Sequence, residues 1–384
     1  VIDSFKAYAD GNKIVYASDC DSTKDKYAVK VSLADSDGTA VGTEQTNAAG
    51  SFDNLEVGKY KITATLSDGT TEKKKVEKTI NIKNLDDMSA YLFVHFVDTQ
   101  EDATREQIYF SVSKDGKTWT TLNNKQPYLT SNVGTQGVRD PYILRGEDGK
   151  FFIIATDLSV YNLKNNWTAA AQQGSKSIVV WESSDLVNWS EASLVKINND
   201  NAGCTWAPEA CYDPEKDEYM VFWASVVSDD SYQKYRIYRS YTKDFKTFSA
   251  PELYIEEPNA VIDTTIIDHE GTYYRFTKNE AKSSITMQEC TSLSGDWKDV
   301  ANYNLGSMTG YEGPTIYKLN GKNEWCLLLD YFSKSKGYKP FVTTDITKGE
   351  FTADSDFSFD GTYRHGTVMP ITQAEYNKLT ATAE

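Results

Sequence analysis

Three observations predict an all-β chain: a five-bladed β-propeller closed between N- and C-terminal strands, preceded by a small immunoglobulin-like β-sandwich. A short strand-opening segment recurs five times from residue 138 onward. An Asp-rich turn that lands on an aromatic also recurs five times, out of phase with the first repeat. Residues 1–86 carry neither repeat and instead alternate apolar with polar side chains.

In that first unit the alternation runs through 13–17, 27–33, 60–66 and 76–82. A period of two sends one set of side chains to one face of a sheet. Turn residues separate these runs at 35–38 and 67–69, and Gly58-Lys59-Tyr60 opens a strand in the manner of immunoglobulin-like and fibronectin-like modules. No titratable or aromatic groups converge here, so 1–86 is expected to act as an accessory packing domain. Residues 87–384 are expected to form the catalytic domain.

The second unit opens with strands at 91–96, 106–113 and 117–120. The outer turns are Ser113 to Trp119, Ser183 to Trp189, Tyr241 to Phe248, Thr291 to Trp297 and Thr343 to Phe351. The strand-opening segments are Arg139-Asp140-Pro141, Ala207-Pro208-Glu209, Asp263-Thr264-Thr265, Glu312-Gly313-Pro314 and His365-Gly366-Thr367. Lined up, they put Asp140, Glu209, Asp263, Glu312 and His365 at one equivalent position, with spacings of 69, 54, 49 and 53 residues. Repeats of that length built from short strands indicate propeller blades, whose first strands line a central channel. Four carboxylates and an imidazole on that axis are costly to bury. The channel mouth is therefore the candidate site. The first outer turn precedes the first inner strand, and the last inner strand follows the last turn. The C-terminal strand at 365–372 should thus complete the blade begun at 90–121, which leaves no open edge.

Lys+Arg 40 against Asp+Glu 56 gives a net charge of −16. This argues against nucleic acid or an anionic membrane as partner and suits a neutral substrate such as a sugar. The 25 Tyr and 8 Trp suit sugar stacking, although β cores absorb most aromatics. Five Cys (20, 204, 211, 290 and 326) show no metal spacing and are expected to be free thiols. No apolar run reaches the length of a membrane span. The chain starts at Val1 with no signal peptide, as a mature or trimmed form would. Location stays open, with a secreted or cell-surface setting favoured over a cytoplasmic one.

The set Arg139-Asp140-Pro141-Tyr142-Ile143, Trp206-Ala207-Pro208-Glu209, Ile262-Asp263-Thr264-Thr265, Tyr311-Glu312-Gly313-Pro314 and His365-Gly366-Thr367-Val368 resembles glycoside hydrolase family 43 over about 90–375. The resemblance implies a five-bladed enzyme acting on arabinose- or xylose-containing plant polysaccharides or oligosaccharides. It implies Asp140 as general base, Glu312 as general acid and Asp263 as the residue that orients the acid and tunes its proton affinity. Glu209 stands where many members carry Asp, and would shape the pocket with Trp206, Arg139 and Arg364. No cofactor is required for the chemistry. A central hydrated calcium lies beside the family's inner-strand histidine, which His365 matches. For His365 two readings stay open, a hydrogen-bonded core histidine and a role at metal or substrate. Oligomeric state is not read.

Gly137-Val138-Arg139-Asp140-Pro141 and Arg364-His365-Gly366-Thr367-Val368-Met369-Pro370 resemble members that look like exo-acting α-L-arabinofuranosidases. β-Xylosidase and arabinanase activities occur on the same scaffold. The loops at 97–105, 157–176 and 226–235 decide between a blind pocket and an open cleft. A fructan-cleaving enzyme is the rival, since it also carries Arg-Asp-Pro, but after an Asn-Asp-Pro that is lacking here. A non-catalytic sugar-binding propeller has no use for all three acids.

Overall fold

The computed structural model describes residues 2–20, 27–68, 70–98 and 102–381. Gly69 of the expected 67–69 turn, residues 99–101 of the 97–105 loop and the side chain of Cys20 lie outside the described residues.

The chain is all-β, with short helices at Trp167–Gln172 and Gln373–Ala381. Near its start, Ile2–Asp10, Lys13–Cys20 and Ala49–Phe52 form one three-stranded sheet. Ala28–Asp35, Gly58–Ser67 and Glu72–Ile82 form another. Alternation does what the pattern requires: Val29, Val31 and Leu33 turn inward from one strand, and Tyr60, Ile62, Ala64 and Leu66 from its neighbour. They share one apolar core with Phe5, Ile14, Tyr16 and Phe52 of the other sheet.

Four four-stranded antiparallel sheets follow a common plan. They are led by Val138–Arg145, Trp206–Asp213, Val261–His269 and Glu312–Lys318, and each leading strand returns as a hairpin into a second strand. A fifth sheet joins distant parts of the chain. Arg364–Thr372 pairs antiparallel with Met88–Phe96, which continues into Tyr109–Ser113 and Thr118–Thr121. The five leading strands lie against one another in order, and the Arg364 strand also lies against the Val138 strand. Apolar side chains fill the space between neighbouring sheets. Phe152, Trp223 and Phe245 meet in one such cluster, and Tyr274, Trp325 and Phe351 in another.

The repeated outer turn has a local cause. Asp115 Oδ1 accepts hydrogen bonds from the backbone N–H of Lys117 and Thr118, while Ser113 Oγ accepts from Gly116. Asp185 with Ser183, and Asp244 with Thr242, repeat the arrangement. A hydroxyl two residues before an Asp therefore satisfies a tight turn by itself, which is why the motif recurs.

The N-terminal sheets touch the ends of the leading strands remote from Asp140. Lys78, 2% exposed, donates to Thr291 O (2.6 Å), and the Thr79 N–H donates to Pro214 O (2.6 Å). Asn81 donates to Glu147 (2.5 Å), and Lys59 pairs with Asp217 (2.7 Å). Glu147 lies seven residues beyond Asp140, or about 20 Å at the usual rise of a strand.

Among the described residues Cys204, Cys211, Cys290 and Cys326 are free, the first and last of them buried. No described helix is long and apolar enough to cross a membrane.

Candidate active site

Each of the five leading strands breaks register at the same place. The pairing jumps between Arg139 and Tyr142, Trp206 and Glu209, Ile262 and Thr264, Glu312 and Thr315, and Arg364 and Thr367. A bulge adds unpaired residues and re-aims the side chains beside it. Asp140, Ala207, Asp263 and Gly313 take the strain, with φ of 50°, 48°, 52° and 51°. A non-glycine residue in that region costs about 1–2 kcal/mol. Such strain gathers at functional sites.

The bulges revise the alignment that put five residues at one position. In the paired register Arg139, Trp206, Ile262, Glu312 and Arg364 are equivalent, each the last paired residue before the bulge. Asp140, Ala207, Asp263, Gly313 and His365 come next. Glu209 falls after its bulge, level with Tyr142, Thr264, Thr315 and Thr367. The cause is the inserted residues, which sequence alternation cannot count.

One cavity of about 570 Å³ collects these groups. All five residues preceding the bulges line it, and so do Asp140, Asp263 and His365. Glu209 does not line it. That carboxyl is buried (3% exposed), and its Oε2 has no partner among the described residues. The sequence reading missed Lys278, Glu280, Trp167, Tyr235 and Phe332, which also line the cavity. They lie on a second strand, just past its end, at the start of a short helical turn or on a loop, where no repeat marks them.

His365 ties the centre together. Its Nδ1 is 3.3 Å from Asp140 Oδ1 and 3.7 Å from Asp263 Oδ2. Burial opposes a charged imidazole, but Asp263, Asp140 and Glu209 push His365 up to about 10, so it is an imidazolium at neutral pH. Burial likewise works against ionised Asp140. There His365 prevails, helped by Arg139 and by the Thr156 hydroxyl donating at 2.8 Å, and holds the carboxyl below its ordinary range. For Asp263 burial wins and lifts it to about 6. Burial also lifts Glu209 to about 8. Asp263 Oδ2 accepts from the Gly313 N–H (3.0 Å), which fixes the backbone beside Glu312.

The flanking cations are equally built in. Glu312 Oε1 meets Arg364 (3.1 Å), and its Oε2 meets Lys278 (3.1 Å). Arg139 pairs with Glu106 (3.0 Å), which the Val160 and Tyr161 N–H groups and the Ser159 hydroxyl also hold. Trp206 stacks on Tyr235 (5.3 Å, 27°) and meets Trp167 edge-on (6.1 Å, 84°), giving the cavity an aromatic wall.

The residues present do not fit a metal held directly by His365 Nδ1. Its Nδ1 faces two carboxylates as a charged donor, so that nitrogen offers no lone pair, and a cation beside it would meet like charge. Among the described residues no group of three or more His, Cys, Asp or Glu is placed to hold a metal ion.

Residues 86–377 match the family described as a probable glycosyl hydrolase domain, related to glycosyl hydrolase family 43, and the chain belongs to that family. It is 30% identical over 385 residues to an α-L-arabinofuranosidase of Bifidobacterium longum subsp. longum, a match covering 87% of this chain and 35% of that protein. The chain thus spans about a third of the length of that curated relative. Among solved structures it is similar to a thermostable family-43 glycoside hydrolase (19% identity, TM-score 0.44, 61% of this chain and 77% of that one). It is also similar to the α-L-arabinanase of Cellvibrio cellulosa complexed with arabinohexaose (14% identity, TM-score 0.48, 73% and 100%).

Proposed function

We propose that this chain is an inverting exo-glycosidase that releases terminal arabinofuranose from plant arabinoxylan or arabinan. On this reading residues 87–384 are a five-bladed propeller carrying catalysis, and residues 1–86 are an accessory sandwich. The observation that carries the proposal is the convergence of Asp140, Asp263 and Glu312, from three sheets, on one cavity with an imidazolium between the first two. The arabinofuranosidase relative supports the choice of sugar.

Hydrolysis with inversion needs a carboxylate to activate water on one face and a protonated acid at the leaving oxygen on the other. Asp140, held ionised by His365, takes a proton from water as its oxygen attacks the anomeric carbon. Glu312 gives a proton to the departing oxygen, and the sugar leaves with its configuration inverted. Asp263 holds the acid through the Gly313 N–H. Trp206, Tyr235 and Trp167 offer flat faces to the sugar chain. Arg364 and Arg139 are rigid donors for its hydroxyls.

The test is a screen of 4-nitrophenyl glycosides, followed by NMR of the first-formed product. Release of the inverted anomer from an α-L-arabinofuranoside is expected. Retention of configuration would remove the mechanism, and cleavage of the β-D-xyloside alone would remove the substrate.

A further inference from the structure

Both carboxylate oxygens of Glu312 are taken by cations, and the two cations are held in different ways. Arg364 is fixed. Its Nε donates to Asp330 Oδ2 (2.6 Å), Asp330 is fully buried, and the guanidinium rests on Phe96 (5.5 Å). Lys278 is shared. Its ammonium is 3.1 Å from Glu312 Oε2, 3.3 Å from Glu280 Oε1 and 4.5 Å from the centre of the Phe332 ring. The Lys278 side chain is 3% exposed, against 31% for Glu280. Both line the cavity.

A carboxylate oxygen occupied by a cation's hydrogen bond cannot at the same time offer a proton to a leaving group. A leaving oxygen can reach Glu312 Oε2 only when the ammonium withdraws. Glu280 and the face of Phe332 already contact that ammonium, so it can withdraw without becoming an unpaired buried charge. The other charged groups facing Glu312 are Arg364, Asp263 and Asp330. With Lys278 gone from Oε2, one fixed cation faces two neighbouring carboxyls, and the balance turns toward proton uptake.

We propose that Lys278 is a positioning residue that sets the charge of the acid. In the free site it occupies Oε2 and holds the Glu312 side chain in place. When a sugar enters, Lys278 passes to Glu280, and Glu312 takes a proton from solvent water. Glu312 then delivers that proton to the leaving oxygen. This rests on the reading of Glu312 as the general acid.

The experiment compares pH profiles of kcat/KM for wild type, Lys278→Met, Lys278→Arg and Glu280→Gln, on a nitrophenyl glycoside and on an oligosaccharide that the wild type cleaves. Removing a cation from the acid should move the alkaline limb of Lys278→Met to higher pH. Glu280→Gln leaves the ammonium wholly on Glu312, so its limb should move down, and it should lose more activity on the oligosaccharide than on the nitrophenyl glycoside. Lys278→Arg should return the limb toward wild type. Limbs that stay put in folded variants, or move the same way in Lys278→Met and Glu280→Gln, would overturn the proposal. If Lys278→Met does not fold, as judged by its thermal melt, Glu280→Gln and Lys278→Arg carry the test. Glu312→Gln separates the two readings. If it still turns over the oligosaccharide, the acid assignment itself fails. If it loses that activity while the Lys278 limbs stay put, only the present proposal fails.

Discussion

Replacing His365 by Gln removes the one positive charge between Asp140 and Asp263, and the outcome can be worked from the geometry. Two unit charges 3.3 Å apart attract by about 5 kcal/mol at an effective dielectric constant near 20. The variant does not lose that whole amount, because the stranded carboxylates can bind protons instead. Burial raises Asp140, and the His365 charge overcomes it and holds the carboxyl below its ordinary range, so removing that charge should raise it. If Asp140 is the base, it must be ionised to work. The acidic limb of kcat/KM should therefore move to higher pH. Stability gives an independent readout. His365 is raised to about 10 in the folded chain, above its ordinary 6.5. Its stabilisation is therefore complete below pH 6.5 and fades as pH rises through about 10. Denaturant titrations at pH 6 and at pH 10.5 should thus show a large gap between wild type and variant at the lower pH and a small one at the higher. An acidic limb unmoved by more than a few tenths, or an equal gap at both pH values, would refute the account of the imidazolium.

Three further outcomes are expected. Glu209→Gln should match wild type in stability near pH 4 and exceed it above pH 8, because a buried carboxyl raised to about 8 costs the wild type stability as pH climbs from its ordinary value; matched denaturation curves at pH 9 would contradict this. Gly313→Ala should lose about 1–3 kcal/mol, since φ is 51° and the new Cβ would stand 2.6 Å from His365 Cγ; an unchanged thermal midpoint would count against the tight packing at that bulge. A chain beginning near Asp87 should keep kcat on a small chromogenic glycoside and melt earlier. The N-terminal sheets grip the strand ends remote from Asp140, so a folded truncation without activity would show that they reach the site.

What could be read from the chain and what could not divide along a physical line. The outer turns were legible because Ser113 with Asp115, and their counterparts, satisfy their own backbone within five residues. Four of the five strand-opening segments were legible because Pro or Gly marks the bulge, and the Asp263 segment through its register with them. The register at Glu209 and Glu312 was not. A bulge inserts residues that alternate with nothing, so aligning by charge placed Glu209 two positions and Glu312 one position away from where the pairing puts them. Lys278, Phe332 and Trp167 were hidden for a different reason. They reach the cavity through the packing of a hairpin and of short helical turns, and nothing local in their sequence marks that approach.

The strand Arg364–Thr372 does more than pair with Met88–Phe96. It brings both Arg364 and His365, while Asp140, Glu209, Asp263, Glu312 and Asp330 all belong to earlier sheets. Until that strand docks, an emerging chain holds a crowd of mutually repelling carboxyls with their main counter-charges still to come. Docking therefore joins the two distant segments and neutralises the axis in one event. The contact spans most of the chain, and such non-local pairing is slow to form. A chain stopped short of residue 364 would keep the candidate base and acid yet lack the charges that make their close approach tolerable. Assembly of the site and completion of the fold are thus the same step.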